Sequence, residues 1–188
     1  MTQSPISHRS ESPLITQALM FAAVAHAAVG QVRKYTFEPY VHHPIAVAQI
    51  LRDHGVTDEA MICAALLHDV VEDTKISPVM ISRYFGDDVW RLVAELTDVS
   101  VPSDGNRAER KRIDRYHTAR ASARAKSVKL ADLIDNSRSI LEHDPGFART
   151  YMAEKRLLLD VLHDASIPSL WVEANRIVED YERRISGT

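Results

Sequence analysis

Ala64-Ala65-Leu66-Leu67-His68-Asp69-Val70-Val71-Glu72-Asp73-Thr74 sets four polar side chains into an otherwise apolar run. The spacing predicts a helix over residues 58–71, on which His68 and Glu72 lie four apart on one face. Asp69 and Asp73 make a second pair about 100° round the axis. An adjacent His and Asp can both reach one metal ion from neighbouring faces, and carboxylates one turn on can reach a water beside it. A helix end entering solvent also gathers charge, which accounts for any two of these residues. It accounts poorly for all four beside an apolar Ala-Leu stretch, where charge persists only with partners.

Outward from this stretch the punctuation is helical throughout. Ser12 and Pro13 read as a cap and first-turn proline, with Ile15, Ala18, Leu19, Ala22, Val24, Ala25 and Val29 following before Gly30. A polar, aromatic-rich loop spans 31–42, and Pro44 opens a second helix, Ile45 to Asp53. Thr57 is the expected cap of the third, with Asp58 and Glu59 in its first turn. Beyond Thr74, Ser77 and Pro78 open a short helix to Gly86, and Val89, Leu92, Val93 and Leu96 mark another. After a loop at 98–106, helices are expected over about 107–122, through Val128 to Leu141, then over 147–163 and 168–185. No segment alternates in the manner of a strand. The fold class is therefore all-α, one domain of eight or nine helices over residues 13–188, preceded by a flexible N-terminus at 1–12.

Composition agrees with one compact domain. The chain has 188 residues, 45% hydrophobic, with six glycines. Net charge is −3, but residues 107–129 hold nine of the 23 Lys and Arg against two acids, so that segment carries +7 and the remainder −10. A positive stretch in an acidic protein suggests an anionic ligand on one face, or simply the wet face of an amphipathic helix. Its single aromatic residue, Tyr116, argues against nucleic acid as the partner. Cys63 is the sole cysteine, which excludes an internal disulfide and a Cys cluster for zinc. No signal-peptide pattern or bilayer-length apolar run is present, so a cytoplasmic protein without membrane insertion is expected.

Two further residues are candidates to join His68 and Asp69. His43 precedes Pro44 at a helix start, where the backbone is fixed and the ring can be aimed inward. Asp132, in Val128-Lys129-Leu130-Ala131-Asp132, arrives within an apolar helix and needs a strong partner. Singly, His43 reads as a capping group and Asp132 as the salt-bridge partner of Lys129 or an arginine. As a set of two His and two Asp, the metal reading gains.

The segments Gly30-Gln31-Val32-Arg33-Lys34, Glu38-Pro39-Tyr40-Val41-His42-His43-Pro44, Ala65 to Thr74, Phe85-Gly86 and Val128 to Asp132 resemble the hydrolase domain of the RelA/SpoT superfamily, among the HD-domain metal-dependent phosphohydrolases. The resemblance runs in order through residues 18–141, without a synthetase or regulatory region, as in a stand-alone small alarmone hydrolase. It implies one manganese ion held by His43, His68, Asp69 and Asp132, with Glu72 and Asp73 orienting or deprotonating the attacking water. It implies removal of the 3′-pyrophosphate of guanosine tetra- or pentaphosphate, with Arg33 stacked on the base, Lys34 near the phosphates and Asn136 on the nucleoside. Ligand type alone also admits iron or zinc. From charge alone, Arg33 and Lys34 read as a solvated pair after a helix end.

Three departures bear on the substrate. One extra residue lies between Lys34 and His43, Asp135 stands where a histidine is common, and Thr97-Asp98 replaces a Thr-Lys pair. Base identity is thereby opened to adenine alarmones. Hydrolysis of another nucleotide, or a non-catalytic nucleotide-binding module, are the alternatives. Oligomeric state, a homo-oligomer included, and pairing with a synthetase are left open. His26 is expected to be a satisfied helix histidine.

Overall fold

The computed structural model describes residues 12–187, and among these the secondary structure is helical apart from one isolated bridge between Val32 and Pro39. The helices are α1 (Pro13–Ala28), α2 (His42–Asp53), α3 (Glu59–Leu67), α4 (Val70–Asp73), α5 (Pro78–Leu96), α6 (Arg107–Ala119), α7 (Ala123–His143), α8 (Pro145–Leu162) and α9 (Pro168–Ser186), with a 3₁₀ turn at Pro102–Asp104. Of the N-terminal segment expected to be flexible, residues 1–11 lie outside the described residues. Ser12, the last residue of that segment, is instead the N-cap of α1, its Oγ accepting from Leu14 N.

Helix α3 is buried on every side from Met61 to Leu67, so it must lie at the centre. It packs against α1, α2, α5 and α7. Alanines 18, 22 and 25 on α1 are buried and small, which lets that helix approach. The second central element is α7, whose Val128, Leu130, Ala131, Leu133 and Ile134 are at most 1% exposed. Each fully buried leucine contributes about 1.5–3 kcal/mol. Cys63 lies in this core as a small hydrophobe, its thiol pushed up to about 12 by burial.

The structure corrects several boundaries. The helix expected over 58–71 stops at Leu67, turns through His68 and Asp69, and resumes as the single turn α4. Asp69 sits at φ −94°, ψ −7°, so the chain tightens there rather than breaking away. The third helix is capped by Asp58, not Thr57, because the Asp58 carboxylate accepts from both Ala60 N and Met61 N. Helix α2 begins at His42, ahead of Pro44, since a proline in the first turn lacks only a donor that has no partner there. Helix α6 ends at Ala119 because Ser122 is taken as the cap of α7. Pro145 opens α8 behind the Asp144 cap. The two helices expected around Gly86 form one element with a break at that glycine, φ 84°.

Candidate active site

Four segments converge. His43 comes from the first turn of α2, His68 and Asp69 from the turn between α3 and α4, and Asp132 from the middle of α7. Ligand atoms of His43, His68 and Asp69 lie within 4.8 Å of one another. His68 Nε2 is 3.0 Å from Asp69 Oδ2 and 3.8 Å from Asp132 Oδ1. His43 Nε2 is 3.2 Å from Asp132 Oδ1 and 3.7 Å from Asp69 Oδ2. Both rings are buried.

Hydrogen bonding fixes what these rings present. His68 Nδ1 lies 2.8 Å from the carbonyl of Ala65, which only accepts, so Nδ1 carries the proton. His43 Nδ1 lies 2.6 Å from Asp135 Oδ2 and donates to it in the same way. Each neutral ring then turns an Nε2 lone pair toward carboxylate oxygens. His68 Nε2 is buried without a hydrogen-bond partner. Lone pairs facing carboxylates repel unless a cation lies among them or the rings gain a second proton. Two imidazole nitrogens and two carboxylates fit a first-row divalent cation.

The electrostatics carry the same demand. Burial opposes charge on His68, yet Asp69 and Asp132 raise it well above its ordinary value. Burial opposes ionisation of Asp132 too, but the Lys129 charge, and then the two histidines beside it, hold it well below the carboxylate range. Asp69 is likewise held low against burial by His68 and then His43.

An outer layer orients these groups, and the sequence reading missed most of it. Asp135 accepts from His43 Nδ1 and from Arg33 Nη2 at 3.2 Å, giving an Arg33–Asp135–His43 chain that fixes the ring. Tyr40 donates its hydroxyl to Asp69 Oδ2 at 2.6 Å. Gln31 Nε2 donates to Asp73 Oδ2 at 2.8 Å while its Oε1 lies 2.6 Å from His26 Nδ1. His26 is thus satisfied at Nδ1 only; its Nε2 is buried without a partner, and burial lowers its pKa. The residue types gave no signal here, because all but the His26–Gln31 contact join segments far apart in sequence.

Glu72 and Asp73 do not pair with His68 and Asp69 across helix turns, since α3 has ended. They flank the cluster on different sides. Glu72 Oε2 accepts from Asp98 N at 3.1 Å, and its carboxyl, partly open to solvent, is pushed up to about 7 by desolvation and then by the Asp98 charge. Asp73 is raised mainly by desolvation.

Arg33, Lys34 and Asn136 line one cavity of ≈350 Å³ with Gln31, Tyr40 and Phe147. Arg33 is pinned by Asp135, and Lys34 Nζ reaches Tyr35 Oη at 3.1 Å and Asp144 at 3.4 Å. Asn136 Nδ2 donates to Asp132 Oδ1 at 2.6 Å, so it supports the cluster as well as facing the cavity. The loop between Lys34 and His43 holds a tight turn, with Phe37 at φ 58° and its N–H bonded to Arg33 O.

Helical architecture and a His/Asp cluster at the meeting of α2, α3 and α7 define a class, and the chain belongs to the HD domain family, which it matches over residues 18–159. Within that family it is similar to particular proteins. The guanosine-3′,5′-bis(diphosphate) 3′-pyrophosphohydrolase MESH1 of Xenopus tropicalis is 42% identical over 140 residues, 72% of this chain and 74% of that one. MESH1 of Drosophila melanogaster is 44% identical over 131 residues, 69% and 70% of the two chains. A solved structure described as a metazoan ortholog of SpoT that hydrolyzes ppGpp superposes with a TM-score of 0.80 at 35% identity, over 92% of this chain and 97% of that one. The resemblance read from the motifs is borne out.

Proposed function

We propose that this chain is a manganese-dependent 3′-pyrophosphohydrolase of guanosine 3′,5′-bis(diphosphate). The observation that carries the reading is the pair of His Nε2 lone pairs aimed at Asp69 and Asp132, beside a carboxyl poised near neutral pH. The names of the relatives supply the substrate. Among the described residues no helix is long and apolar enough to cross a membrane. The reading places the enzyme in the cytoplasm with its nucleotide substrate.

His43, His68, Asp69 and Asp132 would hold the ion, and carboxylate with imidazole suits manganese. When bound, it supplies Lewis-acid stabilisation of phosphoryl charge and makes a water more acidic. The protein's own groups do the rest. The purine enters the cavity of Arg33 and Asn136, where a guanidinium fixed by Asp135 offers its plane to the base. Lys34, mostly exposed at the cavity rim, meets phosphate charge. Glu72 accepts a proton from the attacking water, and Asp73, steadied by Gln31, orients that water. The water oxygen bonds to the phosphorus attached to O3′, the P–O3′ bond breaks, and its electron pair leaves on O3′, which takes up a proton. The products are the nucleoside 5′-diphosphate and pyrophosphate.

Asp69→Ala tests the reading. Turnover and bound manganese, measured together by product assay and metal analysis, are expected to disappear together. Full activity in that variant would remove the metal assignment.

A further inference from the structure

We propose that the cavity beyond Glu72, lined by Arg107, Arg110 and Lys111 beside Glu72, Asp98 and Asp114, is a subsite for the distal phosphate of the 3′-diphosphate, the phosphate that departs within pyrophosphate. This rests on the pyrophosphohydrolase reading and extends it to a part of the molecule which that reading leaves unused.

The cavity, ≈310 Å³, is walled by Glu72 and Asp98 on the side of the cluster and by Arg110 and Lys111 of α6 on the other. A smaller one of ≈50 Å³ shares Asp98, Lys111 and Asp114 with it and adds Lys129, Arg115 and Lys155. Its distance from the reaction is one side chain: Lys129 Nζ lies 3.5 Å from Asp132 Oδ2 and 3.9 Å from Asp98 Oδ1. The cavity that takes the nucleoside in the proposed function lies on the opposite side of Asp132, where Asn136 and His43 meet Oδ1. A substrate with its base in one cavity and its 3′-phosphorus over the cluster therefore points its next phosphate at the other.

The charge is unspent on this side. Asp114 is committed to Val99 N, Ser100 N and Ser100 Oγ, and Asp98 to Lys111 at 2.8 Å. Glu154 is taken by a two-pronged bond from Arg107. Among the described residues Arg110, Arg115 and Lys155 make no ion pair within 4 Å; the Lys155 ammonium lies over the Tyr151 ring, 4.5 Å from its centroid, with Asp132 and Glu154 acting on it at longer range. Its pKa falls to about 8, chiefly through burial and then through the Lys129 and Lys111 charges, which Asp132 and Glu154 offset only in part. A phosphate carries the charge and the acceptor oxygens that such a group of donors lacks.

Arg110→Ala is the cleanest probe, because that side chain leaves no ion pair behind. Calorimetric titration of inorganic pyrophosphate into the full chain loaded with manganese is expected to show about tenfold weaker binding in the variant, the scale of one charged hydrogen bond. Arg110→Lys should recover part of the loss, and Lys155→Met should weaken pyrophosphate in the same direction. Arg112→Ala, on the same helix but solvent-facing and paired with Glu109, should bind as the parent does. Unchanged pyrophosphate affinity in Arg110→Ala overturns the subsite. Two nucleotides then locate it: guanosine 3′-diphosphate without 5′ phosphates, and guanosine 5′-diphosphate 3′-monophosphate. A tenfold loss of binding, read as inhibition of guanosine 3′,5′-bis(diphosphate) turnover, confined to the first supports the assignment, and one confined to the second gives the cavity to the 5′ end and overturns it. Should the parent protein leave guanosine 3′,5′-bis(diphosphate) intact, the proposed function fails alone, and the pyrophosphate titration still decides the subsite.

Discussion

The two oxygens of Asp132 face differently built flanks. Oδ1 meets His43 and Asn136, and behind them Asp135 and Arg33 close the charge account through a continuous chain of hydrogen bonds. Oδ2 meets Lys129, behind which lie Asp98, Lys111 and, among the described residues, Arg110 and Arg115 without an ion pair. The first flank is satisfied within the protein and so can hold a ring at a fixed angle. The second is satisfied only in part, which is the condition for receiving charge from a ligand. Rigid geometry and ligand affinity are thus separated on either side of one carboxylate.

The largest effect expected from breaking this arrangement is at Glu72, the proposed general base. Glu72→Gln should retain manganese while turnover falls by roughly 10²–10⁴, the range for loss of a general base. Metal analysis beside steady-state kinetics checks both halves. The same substitution reports on stability. The native carboxyl is raised from 4.5 to about 7, so the fold prefers it protonated; the stabilisation is full below about 4.5 and is lost as pH rises through about 7. Metal-free Glu72→Gln should therefore melt higher than the parent at pH 8, by ~1 kcal/mol after allowance for solvent screening, and equally at pH 4. As a base, Glu72 must be ionised, so turnover should decline on acidification with its midpoint at or below about 7.

Next in size is the closed flank. Asp135→Asn keeps shape but removes the charge that sets the His43 tautomer, and manganese affinity should drop about 10–100-fold by competition with a chelating dye. Because Arg33 and Asp135 form one unit, Arg33→Ala combined with Asp135→Ala should cost less than the sum of the single losses in nucleotide affinity. Additive losses would dissolve the chain into independent contacts. The smallest effect is expected at Lys34, 70% exposed on its side chain: Lys34→Ala should change KM by only a few-fold, and less at high salt.

The fold was legible because its signals are local. Pro13, Pro78, Pro145 and Pro168 each stand in a first helical turn, and apolar spacing marks the buried faces between them. The turn at His68-Asp69 was not legible, since the apolar pattern continues from Leu67 into Val70 and Val71 and only the backbone angles change. Of the site, His43, His68, Asp69 and Asp132 were found by residue type and motif, and the structure brings them together. Asp135 was visible only as a departure from a pattern; its bond to His43 spans 92 residues and emerges from packing of α2 on α7. Asp98 was likewise visible only as a departure, and Gln31 and Tyr40 stood in the quoted segments without a role because their contacts to Asp73 and Asp69 emerge from packing. Asn136 was read as a nucleoside contact, though its spacing of four from Asp132 on one helix already allowed the hydrogen bond that forms.

The central claim is tested most directly by following guanosine 3′,5′-bis(diphosphate) by phosphorus NMR with protein stripped of metal and then resupplied with manganese. The account predicts no turnover in the stripped protein, and in the restored one the appearance of pyrophosphate and guanosine 5′-diphosphate in equal amounts. Release of orthophosphate, or silence with manganese present, would contradict it.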